Sequence, residues 1–282
     1  MSDYMHEELI LEILKTLPVK SVVKCRSVCK KWNTLICHPS FVSVHLQASL
    51  SRPPDNTPFL LLTSEKKGCE KYYLHYDNDG FDEFKQLQIP LFGYVSEAPV
   101  VGCCNGLICL QLFSRSDCSY IYYFLWNPSI QKYISLPRLR IDKDAEYLCV
   151  GFGFDSRTND YKLLLAGAGS DNCWMKPYLF SLNHKRWKRV TAVYPDYGFG
   201  PETLLPFVNG AVHWLGHQNR NDDKARNEIL GFDLSAEVFF EMSLPESLIG
   251  LYPAQLSCMQ CGESSIAVLA ISWEGGRELH QL

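Results

Sequence analysis

The first fifty residues carry an apolar pattern with a helical period. Between Glu7 and Leu17, apolar residues follow one another at three- and four-residue steps, the spacing that builds one apolar face of a helix. These residues are Leu9, Ile10, Ile13, Leu14 and Leu17. Pro18 has no backbone N–H and restricts the residue before it, so the pattern predicts a first helix of about three turns that ends there.

The same spacing continues after Pro18. Val22, Cys25, Cys29, Trp32 and Ile36 follow at steps of three, four, three and four residues, which predicts one or two further short helices. We expect Pro39 to mark the next break. A core built from about fifty residues is small, so part of this apolar surface is expected either to meet a partner or to pack as a cap on the rest of the chain.

Residues 49–58 differ in composition from both sides. They contain three prolines and no apolar period, which predicts a linker. Beyond them, short apolar runs alternate with turn residues, so the larger part of the chain is predicted to be a β domain. The predicted strands cover residues 59–63, 107–112, 120–126, 161–166, 211–215 and 266–272.

Aromatic residues repeat along the β domain with a fixed spacing. Each copy has an aromatic residue, a second one seven residues later and an apolar residue three further on, with one extra residue in the first copy. The copies are Tyr76-Phe84-Leu87, Trp126-Tyr133-Leu136, Phe180-Trp187-Val190 and Phe232-Phe239-Met242. Their leading aromatics step by 50, 54 and 52 residues, a period typical of four-stranded propeller blades of the kelch kind.

Turn dipeptides interleave with the aromatic copies. Asn105-Gly106, Asn159-Asp160, Asn209-Gly210 and Cys261-Gly262 step by 54, 50 and 52 residues, and each precedes a run with strand character. Asn-Gly favours hairpins because both turn residues take positive φ, so each repeat is predicted to contain two hairpins. The last repeat is predicted to be incomplete, because its next aromatic would fall beyond Leu282. Either residues 59–63 supply the missing pairing or a sheet edge stays open.

Four stretches of the helical part resemble the F-box. They are Leu9-Ile10-Leu11-Glu12-Ile13-Leu14, Leu17-Pro18-Val19-Lys20-Ser21, Val28-Cys29-Lys30-Lys31-Trp32 and Pro39-Ser40-Phe41. In that family the motif docks on the Skp adaptor of SCF-type ubiquitin ligases. The resemblance implies this role for Leu9, Ile10, Ile13, Leu14, Leu17, Pro18, Val28 and Trp32. Met5-His6 stands where the family usually has Leu-Pro, a departure expected to lower adaptor affinity.

Nearly the whole chain resembles plant F-box proteins with an F-box-associated domain. Four β-domain stretches carry this resemblance, at residues 101–110, 125–129, 151–162 and 208–215. It implies an α+β multidomain protein with a small N-terminal three-helix F-box at 1–48, a Pro-rich linker at 49–58 and an all-β kelch-like, propeller-like repeat domain at 59–282. Family members usually carry several more strands at the end, so we expect a truncated or divergent member whose last repeat is incomplete.

The resemblance implies the substrate-recognition subunit of a ubiquitin ligase. The F-box would bind a Skp-type adaptor and, through it, cullin and RING subunits. The β domain would bind a protein target through loops at 114–119, 167–176, 194–202 and 216–227, and no residue would perform bond chemistry. The alternative is a kelch-like enzyme or a carbohydrate-binding module with a helical cap. No signal peptide or apolar run of about 18 residues is recognisable, so a cytoplasmic or nuclear location is expected.

Charge and cysteine content bear on two further questions, nucleic-acid binding and disulfide bonds. Residues 1–50 carry a net charge of +2 and residues 51–282 a net charge of −6, which gives −4 overall and no nucleic-acid footprint. A local basic cluster interleaves with the apolar stripe and is expected to be a solvated helix face: Lys20, Lys24, Arg26, Lys30 and Lys31. The twelve cysteines lie in apolar contexts, so we expect reduced, buried thiols.

Candidate enzyme residues each have a plainer structural explanation. Cys258 and Cys261 have the spacing of half a zinc site but no second pair, and Cys103-Cys104 is expected to pack beside a hairpin turn. His213 is expected to be a hydrogen-bonded or exposed strand histidine. Asp155, Asp160 and Asp233 recur at hairpin ends, where Asp bonds its own backbone. Gly151-Phe152-Gly153 lacks the third glycine of a dinucleotide fingerprint, so neither cofactor nor metal is expected.

Overall fold

The computed structural model describes most of the chain. The described residues are 6–51, 59–66, 69–87, 98–113, 120–140, 145–169, 174–193, 197–199, 205–218, 226–249, 251, 255–262, 264–274 and 277–281. They belong to two compact units, one formed by Met1–Glu97 with Asn127–Tyr133 and the other by Ala98–Trp126 with Ile134–Leu282. The domain boundaries predicted from the sequence stay predictions.

Four helices occupy the start of the chain. They are α1 (Glu7–Thr16), α2 (Val19–Cys25), α3 (Lys30–Cys37) and α4 (Pro39–Leu50). Glu7 and Glu8 lie in the first turn of α1, where negative charge suits the helix dipole, and the chain turns extended at Leu17 before Pro18. The α1 helix therefore begins and ends where the pattern predicted.

The fourth helix lies where the sequence predicted a break. Pro39 occupies the first turn of α4, where a missing N–H costs no hydrogen bond, and His38 caps the helix because its Nδ1 accepts from the Ser40 N–H at 3.3 Å. Proline here begins a helix. As a result α4 extends to Leu50, into the first two residues of the predicted linker, and residues 52–58 of that linker lie outside the described residues.

A small apolar core joins the four helices. Its buried members come from all four helices, and the side chains of Leu11, Leu17, Cys25, Trp32 and Leu35 pack around them. The buried members are Ile10, Leu14, Val22, Ile36 and Phe41. The helical segment thus has a core of its own.

The remaining described elements are strands and one short helix. In chain order they are β1 (Phe59–Lys66), β2 (Cys69–Tyr76), β3 (Glu83–Leu87), β4 (Val100–Cys104), β5 (Leu107–Phe113), β6 (Tyr120–Asn127), β7 (Lys132–Ser135), β8 (Leu139–Arg140), β9 (Ala145–Asp155), β10 (Asp160–Gly169), β11 (Trp174–Ser181), β12 (Arg186–Arg189), β13 (Gly198–Phe199), β14 (Phe207–Val208), β15 (Ala211–Gln218), β16 (Arg226–Asp233), β17 (Val238–Ser243), α5 (Glu246–Ile249), β18 (Leu256–Cys261), β19 (Ser265–Glu274) and β20 (Arg277–Gln281). Each predicted strand segment lies within one of these strands.

The described strands form five antiparallel sheets in sequence order. The orders are β1-β2-β3; β4-β5-β6-β7 with β8 beside β6; β9-β10-β11-β12; β13-β15-β16-β17 with β14 beside β15; and β18-β19-β20. Each sheet is built from neighbouring hairpins, as the repeats predicted. Residues 59–63, a candidate partner for the last repeat, lie in β1. Among the described strands, β1 pairs with β2, and the last sheet consists of β18, β19 and β20. The fold is therefore an N-terminal set of helices followed by a propeller-like series of sheets.

Neighbouring sheets of the second unit bury each other's faces. Leu163 and Leu164 are consecutive on β10, so their side chains point to opposite faces of the sheet. Leu163 belongs to a core shared with β4–β6, whereas Leu164 belongs to a core shared with β15 and β16. Leu215 of β15 then enters a third core together with Leu256 of β18. Each sheet needs its neighbours to cover it, which is the physical basis of a repeat fold.

Two kinds of hairpin turn recur in these sheets. At Asn105-Gly106 and Asn209-Gly210 both residues have positive φ, as predicted for two-residue turns. The predicted Asn159-Asp160 turn differs, because Asp155 pairs with Asp160 across the four residues 156–159, and only the last of these has positive φ. The aromatic residues of two repeats lie on paired strands opposite each other, since Phe180 pairs with Trp187 and Phe232 with Phe239.

Candidate partner-docking surface of the helical segment

The predicted docking residues of α1 divide between two faces of the helix. Leu9 and Ile13 are 55% and 49% exposed, whereas Ile10 and Leu14 are 8% and 0% exposed and lie in the helical core. Each pair is four residues apart, and the two pairs are offset by one residue, which turns them about 100° from each other. One pair is therefore available to a partner, and the other holds the helix in place.

The end of α1 is fixed by a contact from α4. Leu17 is partly buried against the core, and Nε2 of His45 lies 2.9 Å from its carbonyl oxygen. Because a carbonyl only accepts, Nε2 of His45 carries the proton in this contact. Pro18 is exposed and serves as the N-cap of α2. The end of α1 is thus bonded to α4, while Pro18 is exposed.

The turn between α2 and α3 presents Val28 to solvent. Val28 is 62% exposed, although its N–H donates to the carbonyl of Cys25 at 3.1 Å. Cys29 is the N-cap of α3, and its Sγ accepts from the Trp32 N–H at 3.5 Å. Trp32 itself packs partly against the core. An exposed apolar side chain on an ordered turn is already arranged for binding.

A groove of about 760 Å³ lies between α1, α3 and α4. Its apolar wall includes Leu11, Leu35, Phe41 and Val44. Its rim carries Glu7 and Lys31, which form an ion pair at 3.0 Å, and Glu12 and Lys15, which form another at 2.5 Å. The sequence pattern missed this groove, because its wall combines residues from three helices whose crossing it does not define.

The β domain holds a buried ionic network that the sequence also missed. Nζ of Lys162 lies 2.9 Å from Oδ2 of Asp155, and the two side chains are 7% and 0% exposed. Lys162 also donates to the carbonyl of Leu234 at 2.6 Å and lies 3.4 Å from Glu237. The hydroxyl of Ser235 donates to Asp155 at 2.8 Å. These contacts join the sheet of β9–β12 to the sheet of β13–β17.

The pKa of Asp155 follows from this network. Burial by itself would raise that pKa, but hydrogen bonds from Thr158, Lys162 and Ser235, together with the charge of Lys162, lower it below the usual range of a carboxyl. Asp155 Oδ1 also accepts from the Arg157 N–H at 3.0 Å, as turn chemistry predicted. The carboxylate therefore stays ionised and serves the structure.

The other two candidate carboxylates have structural partners as well. Asp233 accepts from the N–H groups of Ser235 and Ala236, both at 2.7 Å, which closes its own turn. Asp160 instead accepts from the Ser181 hydroxyl at 2.5 Å and from the Asn183 N–H at 2.9 Å, so it stabilises the next turn.

Ser181 also lies beside a histidine, at 2.8 Å from Nδ1 of His184. The hydroxyl lies between His184 and the carboxylate of Asp160, whereas a catalytic triad requires the histidine in that position. In addition, the Ser181 Oγ accepts from the backbone N–H of His184 at 3.1 Å. The three side chains therefore form a turn-stabilising chain of hydrogen bonds.

The remaining candidates are placed as strand residues. Cys103 is exposed, contrary to the buried thiol expected from the sequence, whereas Cys104 is buried. Burial, together with the neighbouring Cys103, raises the pKa of the Cys104 thiol to about 12, so Cys104 stays protonated near neutral pH. Cys258 is buried and Cys261 exposed on the same strand, since an offset of three residues puts them on opposite faces. Burial lowers the pKa of His213, and backbone hydrogen bonds to Pro206 and Ala211 offset this only partly.

The described residues contain neither a cluster suited to a metal ion nor a helix suited to a bilayer. No three His, Cys, Asp or Glu side chains in the described part of the chain lie together in a way that could hold a metal ion. Among the helices described, none has the length and apolar character to cross a bilayer. Of the predicted target loops, residues 114–119, 170–173, 194–196, 200–202 and 219–225 lie outside the described residues, as does Met5.

Comparisons with known proteins fit both parts of the structure. The family described as "F-box domain" matches residues 4–43, and the family described as "F-box associated beta propeller domain" matches residues 55–259. An F-box/kelch-repeat protein of Arabidopsis thaliana is 25% identical over 84% of this chain and 65% of its own length. An F-box protein of the same plant is 26% identical over 86% of this chain and 65% of its own. The chain thus spans about 65% of the length of these relatives.

Similar solved structures are more distant. An exo-beta-1,3-galactanase from Phanerochaete chrysosporium has a TM-score of 0.40 at 10% identity, with 77% of this chain and 56% of the other covered. The beta-propeller domain of the Trilobed protease from Pyrococcus furiosus has a TM-score of 0.35 at 9% identity, with 79% and 70% covered. Likenesses at this level are too weak to assign an activity.

Proposed function

Because the chain belongs to the plant F-box proteins that carry an F-box associated beta propeller domain, we propose that it is the substrate-recognition subunit of an SCF-type ubiquitin ligase. In this proposal the helical segment docks on a Skp-type adaptor, which links it to cullin and RING subunits. The β domain holds a protein target. The observation that carries the proposal is the pair of half-exposed apolar residues, Leu9 and Ile13, on a helix whose other face is fixed in a core.

The proposed mechanism is proximity. A target held on the β domain would meet the ubiquitin thioester of a conjugating enzyme at a high effective concentration, since adaptor and target are bound by one chain. No side chain of this protein takes part in bond chemistry in this proposal. A cytoplasmic or nuclear location would suit it, and fluorescence microscopy of the tagged full chain in plant cells would test that.

The adaptor-binding step can be tested at Ile13. We expect Ile13→Asp to weaken binding of a plant Skp-type adaptor by about a hundredfold, because it places a charge at the centre of an apolar contact. Val238→Asp is the matched control, since Val238 is 48% exposed in the β domain and Ile13 is 49% exposed. Binding would be measured by biolayer interferometry with the full chain, and circular dichroism would check that each variant folds.

Two results would overturn the proposal. One is a wild-type chain that does not bind the adaptor at micromolar concentration. The other is an Ile13→Asp variant that binds as well as the Val238→Asp control while both keep the wild-type helical signal.

A further inference from the structure

The surface formed by α2 and the α2–α3 turn carries cations without an acidic partner. Lys20, Lys24 and Lys30 are exposed, and no ion pair with any of them occurs among the described residues. Lys15 and Lys31, by contrast, are paired with carboxylates of α1. The three unpaired lysines therefore leave a local positive potential on this surface.

Two of these lysines share a face of α2, and the third begins the next helix. Lys20 and Lys24 are four residues apart on α2 and so share a face of that helix. Lys30 begins α3, which contacts α2. Nε of Arg26 donates to Oδ1 of Asn33 at 2.9 Å, which ties the end of α2 to α3. The two helices that carry the lysines are thus joined by helix contacts and by a cross-turn hydrogen bond.

Apolar residues interleave with the cations. Val23 lies one residue before Lys24 and is 37% exposed, and Val28 lies two residues before Lys30 and is 62% exposed. The turn that carries Val28 is ordered, since the hydroxyl and the N–H of Ser27 both bond to the carbonyl of Lys24, at 2.7 and 3.1 Å. We name this surface the basic–apolar face and define it as Lys20, Val23, Lys24, Val28 and Lys30.

The mixture of side chains identifies the class of partner. A nucleic-acid backbone would use the lysines but would leave the two exposed valines without a contact. A protein interface uses both, because apolar residues fill its core while charges at the rim speed association and set orientation. An acidic protein surface with apolar residues is therefore the partner whose chemistry complements this face.

We propose that Lys20, Lys24 and Lys30 bind carboxylates on the Skp-type adaptor, beside an apolar contact at Val28. This inference rests on the proposed function and adds to it an electrostatic component of docking. Its consequence is kinetic. Exposed, screened charges chiefly raise the association rate, so adaptor docking would be fast at low ionic strength and slower at high ionic strength.

The test compares charge reversal on this face with charge reversal elsewhere. The variant is Lys20→Glu/Lys24→Glu/Lys30→Glu in the full chain. The control is Lys71→Glu/Lys85→Glu/Lys132→Glu, which changes net charge equally at exposed positions outside the helices. We expect the variant to bind a purified adaptor about tenfold more slowly than wild type at about 50 mM salt, and the difference to shrink to about twofold at about 500 mM. The control and the variant have the same net charge, so an effect of net charge alone should be small and equal in both. Apart from that effect, the control should associate at the wild-type rate.

Each outcome separates this inference from the proposed function. If wild type binds but the variant associates as fast as the control at every salt concentration, the electrostatic inference is wrong and the docking proposal stands. If wild type does not bind the adaptor, both are wrong. If wild type instead binds a short DNA duplex or anionic vesicles at about 150 mM salt and only the variant loses that binding, the partner class is wrong. Replacement by Gln in place of Glu should give a smaller change in the same direction.

Discussion

Removal of the buried cation at Lys162 should lower the free energy of unfolding of the β domain more than removal of an exposed cation nearby. Lys162→Met keeps most of the side-chain volume but leaves the Asp155 carboxylate, which is 0% exposed, without its cation. It also removes the donor to the Leu234 carbonyl at 2.6 Å. The neighbouring sheet then loses its contacts with Lys162 at Leu234 and Glu237, while the Ser235–Asp155 hydrogen bond between the two sheets remains.

The magnitude follows from the geometry. At the 2.9 Å separation of Lys162 Nζ and Asp155 Oδ2, the attraction at an effective dielectric constant of about 20 is about 6 kcal/mol. Desolvation of the ammonium group in the native protein offsets part of this. Loss of one member of a buried pair usually costs about 3–5 kcal/mol, and we expect a decrease of that size in the free energy of unfolding.

The assay is urea denaturation of the full chain, followed by tryptophan fluorescence. Lys188→Met is the matched control, because Lys188 is paired with Glu237 at 2.7 Å but is 49% exposed, so its loss should cost less than about 1 kcal/mol. Asp155→Asn added to Lys162→Met should recover part of the lost stability, since it removes the stranded charge. If Lys162→Met costs no more than Lys188→Met, the buried pair does not stabilise the domain and the reasoning is refuted.

Three further predictions follow from burial and spacing. Leu14→Ala should destabilise the helical segment by about 2–5 kcal/mol in thermal melts, whereas Ile13→Ala, at a half-exposed position, should cost less than about 1 kcal/mol; equal costs would contradict the assignment of faces. Gly151→Ala would place a methyl group 2.2 Å from Cγ1 of Val212, so we expect a loss of about 1–3 kcal/mol in urea, and a neutral result would refute the close packing of β9 on β15. Burial lowers the pKa of His213, so the unfolded state binds the extra proton: stability should be complete above about pH 6.5 and fall as the pH decreases below it. His213→Leu should reduce this pH slope, and an unchanged slope would assign it to another group.

Much of the secondary structure could be predicted because it rests on local chemistry. The Asn-Gly pairs at 105–106 and 209–210 form the expected turns, since few other residues accept positive φ twice in succession. The aromatic pairs at a seven-residue spacing lie in register because a four-residue turn separates them, as between Phe232 and Phe239. The four-residue turn at 156–159 was missed as such, because the side chain of Asp155 closes it and a dipeptide pattern does not include that contact.

The predicted docking residues of α1 were identified together, but the sequence did not show which of them are exposed and which are buried. Leu9, Ile10, Ile13 and Leu14 share one helical pattern, and only the packing of α1 against the other helices separates the exposed pair from the buried pair. Pro39 is a different case, because its sequence context fits either a break or the first turn of a helix, and a contact within the chain's immediate neighbourhood decides between them. The contact of His38 with Ser40 selects the helix.

By itself, the sequence determined the helical start, the repeat period, the hairpin turns and the family resemblance, because each depends on residues close together in the chain. The tertiary structure decided which apolar residues stay exposed, which charges lie buried and which lysines remain unpaired. Lys162 has no local feature that marks it as buried, and its partners at Leu234 and Glu237 lie 72 and 75 residues away in sequence. Burial and charge pairing depend on contacts between distant segments, and those contacts exist only once the sheets have packed.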